Sequence, residues 1–301
     1  MNSLEAFEKD IELQLSFLKS FSKQKQLSEK EQKSALFSGS GDSLVSAMLA
    51  HSFSNGLVSV FDPLDLFKNP KLIKSKNTYF VSISGNTITN IHVARKAKKS
   101  IAITSKSDSK LAKASDKIIL LSAPNSGVFT AGSISFLESA LTCISLVSSV
   151  TIPKTTQLLS KAKVFAKKSH ISKRIFVLGT FFTYPMAMYC AAKFYEILGY
   201  DVHYARLEQF SHMELFSCKK GDTVIIFEEE NSHNKQLVLH LKKIGINVIH
   251  PSIPSKKLDQ ILYCTFFSQL LPLFEAKKKK RKDCHFVLAE NIRNVSNQMI
   301  Y

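Results

Sequence analysis

The sequence predicts an α/β protein made of two similar halves, each a parallel sheet flanked by helices in the flavodoxin-like, doubly wound manner. Three observations carry this. Apolar runs of four to six residues alternate with helix-patterned segments, the signature of βα units. The same plan then restarts after a joint near Ile152 to Gln157. Finally, 301 residues with 45% hydrophobic content suffice for two cores, and no apolar run reaches the ~18–20 residues of a membrane span.

The elements follow in order. Leu4, Phe7, Ile11, Leu15 and Leu18 fall on one side of an N-terminal helix. Lys23 to Lys33 is a polar loop or a second short helix. SALFSGSGDSLVSAMLAHSF gives a strand, a Gly/Ser turn and a helix with Leu44, Met48 and Leu49 inward. A strand over Leu57 to Phe61 ends at Asp62-Pro63. TYFVSISGNTITNIHVARKAKK is again strand, tight turn, helix. Strands at Ile101 to Thr104 and Lys117 to Leu121 bracket a helical Ser109 to Ser115, and an apolar helix near Thr130 to Ser149 closes the half. The second half reads helix (Leu158 to Lys168), strand (Arg174 to Gly179), helix (Pro185 to Leu198) and the strand DVHYA. TVIIFEE then forms a strand, HNKQLVLHLKKIG a helix ending at Gly245, NVIHP a last strand, and Leu258 to Ala276 a helix.

Composition narrows the function classes. The N-terminus carries acids early and lacks an apolar signal core, which predicts no secretory peptide, and a cytoplasmic location is expected. Cys143, Cys190, Cys218, Cys264 and Cys284 are scattered without CxxC pairing, as reduced thiols are. The net charge of +17 admits nucleic acid or an anionic ligand. Its lysines are spread along the chain, however, and the one dense run, Lys277 to Lys282, reads as a solvated turn. The expected partners therefore include no specific nucleic acid and no membrane. No His/Asp/Cys cluster calls for a metal, and no cofactor is implied.

In open parallel sheets, ligands sit at the carboxyl ends of strands. That rim of the first half carries SISGNT, Ser82 to Thr87, between a strand and a helix. Gly85 permits the tight turn, and Ser82, Ser84 and Thr87 supply hydroxyls beside helix N–H groups. The set suits a phosphate dianion, although Ser/Thr also makes ordinary helix caps. Gly39 and Ser40, in the turn Gly39-Ser40-Gly41-Asp42-Ser43, are a weaker second contact. The equivalent loop of the second half, FEEENSH, has three carboxylates that would repel a phosphate.

The second half offers different chemistry. Lys193 and Glu196 are three residues apart on one helical face, and His212 follows sixteen residues after the glutamate, beyond a short strand. A carboxylate, an ammonium and an imidazole suit proton transfer next to a carbonyl. The same spacing also describes an exposed Lys–Glu pair with a surface histidine.

These residues resemble the sugar isomerase (SIS) domain family, present twice. The likeness is to the isomerase part of glucosamine-6-phosphate synthase and to the bifunctional phosphoglucose/phosphomannose isomerases. SISGNT is similar to the family's SxSGxT loop. LGTFFTYPMAMYCAAKFYE is similar to its LGRGxxYPxAxEGALKxKE segment, with Tyr184, Pro185, Lys193 and Glu196 kept. The step from Glu196 to His212 matches the family's step from catalytic Glu to ring-opening His. ENIRNVSNQMIY is similar to the synthase tail PRNLAKSVTVE. The departures are Asn297 at the position of the Schiff-base lysine, Ile134 in AGSI at the lysine of ASTK, and no basic residue in NSGVFTAGSIS for the bifunctional isomerases' arginine.

The resemblance implies an N-terminal helix and linker over 1–33, a first SIS domain over 34–152 and a second over 153–301 with the C-terminal tail. It implies a phosphorylated hexose as substrate and aldose–ketose isomerisation through an enediol(ate). His212 would open the ring, Glu196 would move the proton between C1 and C2, and Lys193 would hold the sugar oxygens. Ser82, Ser84, Gly85 and Thr87 would bind the phosphate, with Gly39, Ser40 and Ser133 as further substrate contacts. It also implies a homodimer. A non-catalytic phosphosugar sensor and amine transfer on an amino-sugar phosphate remain alternatives.

Overall fold

The computed structural model describes residues 1–172 and 174–301. Helix α1 (Ser3–Ser20) buries Leu4, Phe7, Ile11 and Leu18, while Leu15 is half-buried. Helix α2 (Glu29–Ser34) follows, started by a capping box between Ser28 and Glu31. Strand β1 (Ala35–Ser38) and α3 (Asp42–Phe53) come next. Strand β2 (Ser59–Phe61) is shorter than its apolar run, because the Val58 N–H donates to Ser54 Oγ rather than to a sheet neighbour. Asp62 and Pro63 begin α4 (Pro63–Lys68): the carboxylate accepts from the Leu64 N–H, and proline at the first turn loses no helical bond.

Strand β3 (Asn77–Val81) leads into α5 (Ile88–Ala94), and β4 (Lys99–Thr104) into α6 (Lys110–Lys113), which Ser109 caps. Strand β5 (Lys117–Leu120) and α7 (Ile134–Val147) complete this part. The five strands are parallel, in the order β2-β1-β3-β4-β5. Strand periodicity sends Phe37, Tyr79, Val81, Ile101 and Ile103 to one face, against Ala47, Ala50, Cys143 and Leu146 of α3 and α7. Leu36, Phe80 and Ala102 face the other way, against Leu66, Ile91, Val93 and Ala94 of α4 and α5. Sheets covered on both faces need strands apolar throughout, which is why they stood out in the sequence. One correction concerns α3. Leu44 and Met48 are half-buried, and Val45, Ala47, Leu49 and Ala50 take the core positions. The helix meets both the strands beneath it and α7 beside it, and its wider buried arc favours small residues.

The second series is α8 (Thr155–Lys168), β6 (Arg174–Gly179), α9 (Tyr184–Leu198), β7 (Asp201–Arg206) and α10 (Leu207–His212). Then come β8 (Thr223–Phe227), α11 (Ser232–Lys243), β9 (Asn247–Ile249), α12 (Lys257–Lys278), α13 (His285–Leu288) and α14 (Glu290–Ile300). Its parallel sheet has the order β7-β6-β8-β9, repeating the order of the first four strands of the other sheet. Strand β8 stops at Phe227, so Glu228 and Glu229 belong to the loop. The tail ENIRNVSNQMIY is helical over most of its length, with no buried residue. No helix among the described residues is long and apolar enough to cross a membrane.

The chain divides into two compact units. One gathers Met1–Leu15, Ser126–Ala131 and Ile152–Leu288 around the four-stranded sheet. The other gathers Ser16–Asn125, Gly132–Thr151 and Ala289–Tyr301 around the five-stranded sheet. In the first, the N-terminus of α1 is anchored by Ser3, whose N–H and Oγ donate to Asp283 and whose Oγ accepts from the Cys284 N–H. The run Lys277 to Lys282, read as a solvated turn, has work within this unit. Lys277 pairs with Glu8, Lys279 lies over the Tyr200 ring, and Arg281 donates to main-chain carbonyls.

Candidate functional site

In the unit of the five-stranded sheet, Ser82 to Thr87 connects β3 to α5. Gly85 has φ +63, and a Cβ there would lie 2.1 Å from Ser109 Oγ and 2.9 Å from Thr104 Oγ1, so backbone and space both demand glycine. The loop is pinned from below. Thr104 Oγ1 and Ser105 Oγ donate to the Ile83 carbonyl at 3.1 and 2.8 Å, and the Leu111 N–H donates to the Gly85 carbonyl at 2.9 Å. Ser82 Oγ and Thr87 Oγ1 are 3.4 Å apart, and the Asn86 N–H donates to Ser84 Oγ at 3.3 Å. Thr87 holds the N-cap position of α5 but makes no side-chain cap bond. Its hydroxyl faces Ser82 instead, so it is not an ordinary cap.

Gly39 and Ser40 follow β1, the strand paired with β3. A Cβ on Gly39 would meet the Ser43 carbonyl carbon at 2.7 Å, and Ser40 is exposed. Ser133 stands at the N-cap of α7, buried, with no cap bond and no hydrogen-bond partner for its hydroxyl among the described residues. Ser38 Oγ and the Asn90 amide are likewise buried without partners there. Neither was picked out by the sequence, because a serine ending a strand and an asparagine inside a helix carry no motif.

In the other unit, α9 carries Lys193 and Glu196. Lys193 is fully buried, and its Nζ donates to Glu196 Oε2 at 2.6 Å. The ammonium also lies 4.8 Å from the centre of the Tyr189 ring, whose hydroxyl accepts from Gln269 Nε2 at 2.8 Å. The Glu196 side chain keeps 31% of its surface exposed. A buried ammonium needs a partner of opposite charge, so the lysine fixes the position of the carboxylate. Spacing alone allowed an exposed pair; the burial of the lysine distinguishes this one. His212 ends α10 with its side chain 67% exposed, Nε2 lying 3.3 Å from Glu208 Oε1. Among the described residues it makes no hydrogen bond to Lys193 or Glu196. Asn297 is exposed on α14, and Ile134 is buried at the start of α7.

The loop after β8 is engaged within its own unit. Glu228 Oε1 accepts from the Thr180 N–H at 3.2 Å, Thr180 Oγ1 at 2.5 Å and Thr183 Oγ1 at 2.7 Å. His250 Nε2 is 2.9 Å from the Glu228 carbonyl. Gln260 Nε2 donates to Glu229 at 2.6 Å. Lys235 pairs with Glu230 at 2.6 Å, and this hydrogen bond and charge hold the Glu230 carboxyl below its usual range. A cavity of about 370 Å³ opens here beside Phe165, Glu229, Glu230 and His250. All five cysteines are free; burial pushes the Cys190 thiol up to about 12 and the Cys218 thiol to about 11.

No family model matches the chain, and no curated protein matches it. Solved structures do. A glucosamine-6-phosphate deaminase from Thermotoga maritima superposes with a TM-score of 0.74 at 17% identity, covering 93% of this chain and 95% of that one. The C-terminal domain of glucosamine-fructose-6-phosphate aminotransferase from Francisella tularensis gives 0.64 at 16%, covering 90% and 92%. A tagatose-6-phosphate ketose/aldose isomerase from Escherichia coli gives 0.63 at 16%, covering 91% and 90%. At these identities the likeness is one of fold, and it agrees with the resemblance to the SIS family read from the sequence.

Proposed function

We propose that the chain is a tandem SIS protein, its halves at 34–152 and 153–301, that isomerises a hexose 6-phosphate between aldose and ketose. The observation that carries this is the Lys193–Glu196 pair, a partly exposed carboxylate held 2.6 Å from a fully buried ammonium. Such a carboxylate is held in one orientation, as a base working beside a carbonyl must be. Glu196 removes the proton from C2 of the open-chain aldose. The electron pair forms the C1–C2 double bond of the enediolate as the C1 carbonyl oxygen takes up negative charge. The O2 hydroxyl proton passes to O1 as the C2 carbonyl forms, and the same Glu196 carboxyl returns its proton to C1, so the protons balance and no oxidant or reductant is consumed. Lys193 holds Glu196 in place and, as the resemblance implies, helps hold the sugar oxygens. His212 opens the ring, and its exposure suits service to a partner subunit, which makes a homodimer part of the proposal. Ser82, Ser84 and Thr87 hold the phosphate, with Gly39, Ser40 and Ser133 as further substrate contacts.

A second reading is deamination or amination of an amino-sugar phosphate. It is favoured by the 0.74 TM-score and near-complete coverage with the Thermotoga maritima deaminase. Against imine chemistry at the tail, Asn297 has no primary amine. Borohydride with fructose 6-phosphate is therefore expected to leave the tail unmodified. The deciding experiment is a panel of hexose and hexosamine phosphates in deuterated water, followed by NMR. Exchange at C2 supports the isomerase, and ammonia release from an amino sugar supports the second reading. Binding with no exchange and no release would leave a sensor.

A further inference from the structure

The basic run Lys277 to Lys282 plays no part in the chemistry above, yet its charges lie against the helix that carries Lys193 and Glu196. Arg281 Nη1 donates to the carbonyls of Ile197 and Leu198 at 3.3 and 3.1 Å. These are the last two residues of α9, where helical carbonyls have no partner further along the chain. Gly199 ends the helix at φ +68, its N–H turned back to Phe194 and Tyr195. The imidazole of His285 occupies the space beside it, 2.5 Å from where a Cβ would lie. Lys279 Nζ sits 5.1 Å over the ring of Tyr200. Cys284 is buried in the same segment, and Glu196 lies near enough that its charge adds to burial in pushing the thiol up. Residues 279–285 thus wrap one helix end.

The wrapping has a physical reason. The C-terminus of a helix carries partial negative charge, which favours cations and disfavours a carboxylate in the last turn. Glu196 is in that last turn. A cation on the terminal carbonyls offsets the adverse field, and Arg281 Nη1, donating to both carbonyls, holds the turn. We propose that Arg281, acting through the carbonyls of Ile197 and Leu198, is a positioning residue for the Glu196 carboxylate, and that the basic run is a clamp on this helix end. The activity consequence rests on the isomerase reading; the clamp itself does not.

The test compares Arg281→Ala, Arg281→Gln and Arg281→Lys in the full chain. Amide hydrogen exchange, read by mass spectrometry, is expected to rise about tenfold for the last turn of α9 in the Ala and Gln variants and to stay unchanged in its first turn. C2 exchange of the preferred hexose phosphate should fall about tenfold with KM within twofold, as a misplaced catalytic group gives. Arg281→Lys, which keeps the charge, should recover most of the rate. Unchanged protection of the last turn in Arg281→Gln would overturn the clamp. So would a rate that falls only with the fraction of protein unfolded, or an Arg281→Gln variant as fast as the wild type. Should Arg281→Ala not fold, the Gln and Lys variants carry the comparison. If the wild type exchanges no C2 proton on any sugar phosphate, the isomerase reading falls and the amide measurement still decides the clamp.

Discussion

The loop after β3 and the loop after β8 follow the same strand of the repeated order, one in each sheet. Both are tied from the carboxyl end of the neighbouring strand: Thr104, the last residue of β4, donates to the Ile83 carbonyl, and His250, just past β9, lies within hydrogen-bond distance of the Glu228 carbonyl. Beyond that anchor they diverge. The first turns tightly at Gly85, and among the described residues Ser82 Oγ and Thr87 Oγ1 face one another and Ser84 Oγ accepts from a loop N–H. The second is longer in side chain and carries its own anion. Glu228 collects an N–H and two hydroxyls from Thr180 and Thr183, the residues that open α9. One rim carries the hydroxyls proposed to hold a phosphate, while the other uses its donors to hold the start of the helix bearing Lys193 and Glu196. On the proposed reading, a repeated fold position serves recognition in one copy and framework in the other, depending on whether the chain supplies the negative charge itself.

Four variants would break or sharpen this contrast. The largest effect is expected from Glu196→Gln, which keeps shape and removes the base. C2 exchange should fall by ~10²–10⁴-fold while calorimetric affinity for the sugar phosphate stays, because the phosphate loop is elsewhere in the chain. Gly85→Ala should cost about 3 kcal/mol in chemical denaturation, from positive φ and collision with Ser109, and abolish phosphate binding. Ser84→Ala with Thr87→Ala should weaken phosphate binding by ~1.5–3 kcal/mol without unfolding, and unchanged affinity would remove the site from this loop. Glu228→Ala should lower stability by roughly 2 kcal/mol, orphaning three donors, yet leave affinity for inorganic phosphate unchanged. If it altered phosphate affinity, the framework role of that loop would be wrong.

The strands and long helices were legible because buried parallel strands are apolar throughout and cannot be mistaken for loops. Gly85 was legible because only a turn with positive φ explains it. The contact between Lys193 and Glu196 followed from their spacing, but the burial of the lysine did not, since it depends on Tyr189 and Gln269 arriving from α9 and α12. The triple acceptor role of Glu228 was hidden because its donors are 45 and 48 residues away in sequence. The function of Arg281 was hidden for the opposite reason: five basic neighbours made a single directed hydrogen-bonding group look like a charge run. Helices α10, α13 and α14 escaped because short, polar or one-sided segments lack the periodic length that marks a core helix.

The assignment of Met1–Leu15 to the same unit as Ile152–Leu288 has a consequence for synthesis. The apolar side of α1, with Leu4, Phe7 and Ile11, leaves the ribosome before the rest of its unit, which is complete only when Leu288 has been added. Elongation from Leu15 to Leu288 takes 273 additions. At ~5–20 residues per second this takes on the order of tens of seconds, during which a greasy helix has no surface to settle on. The five-stranded unit has nearly all of its residues long before then. Nascent chains stalled before Ile152 should therefore hold holdase chaperones through residues 4–15, and longer chains should release them once α12 has emerged.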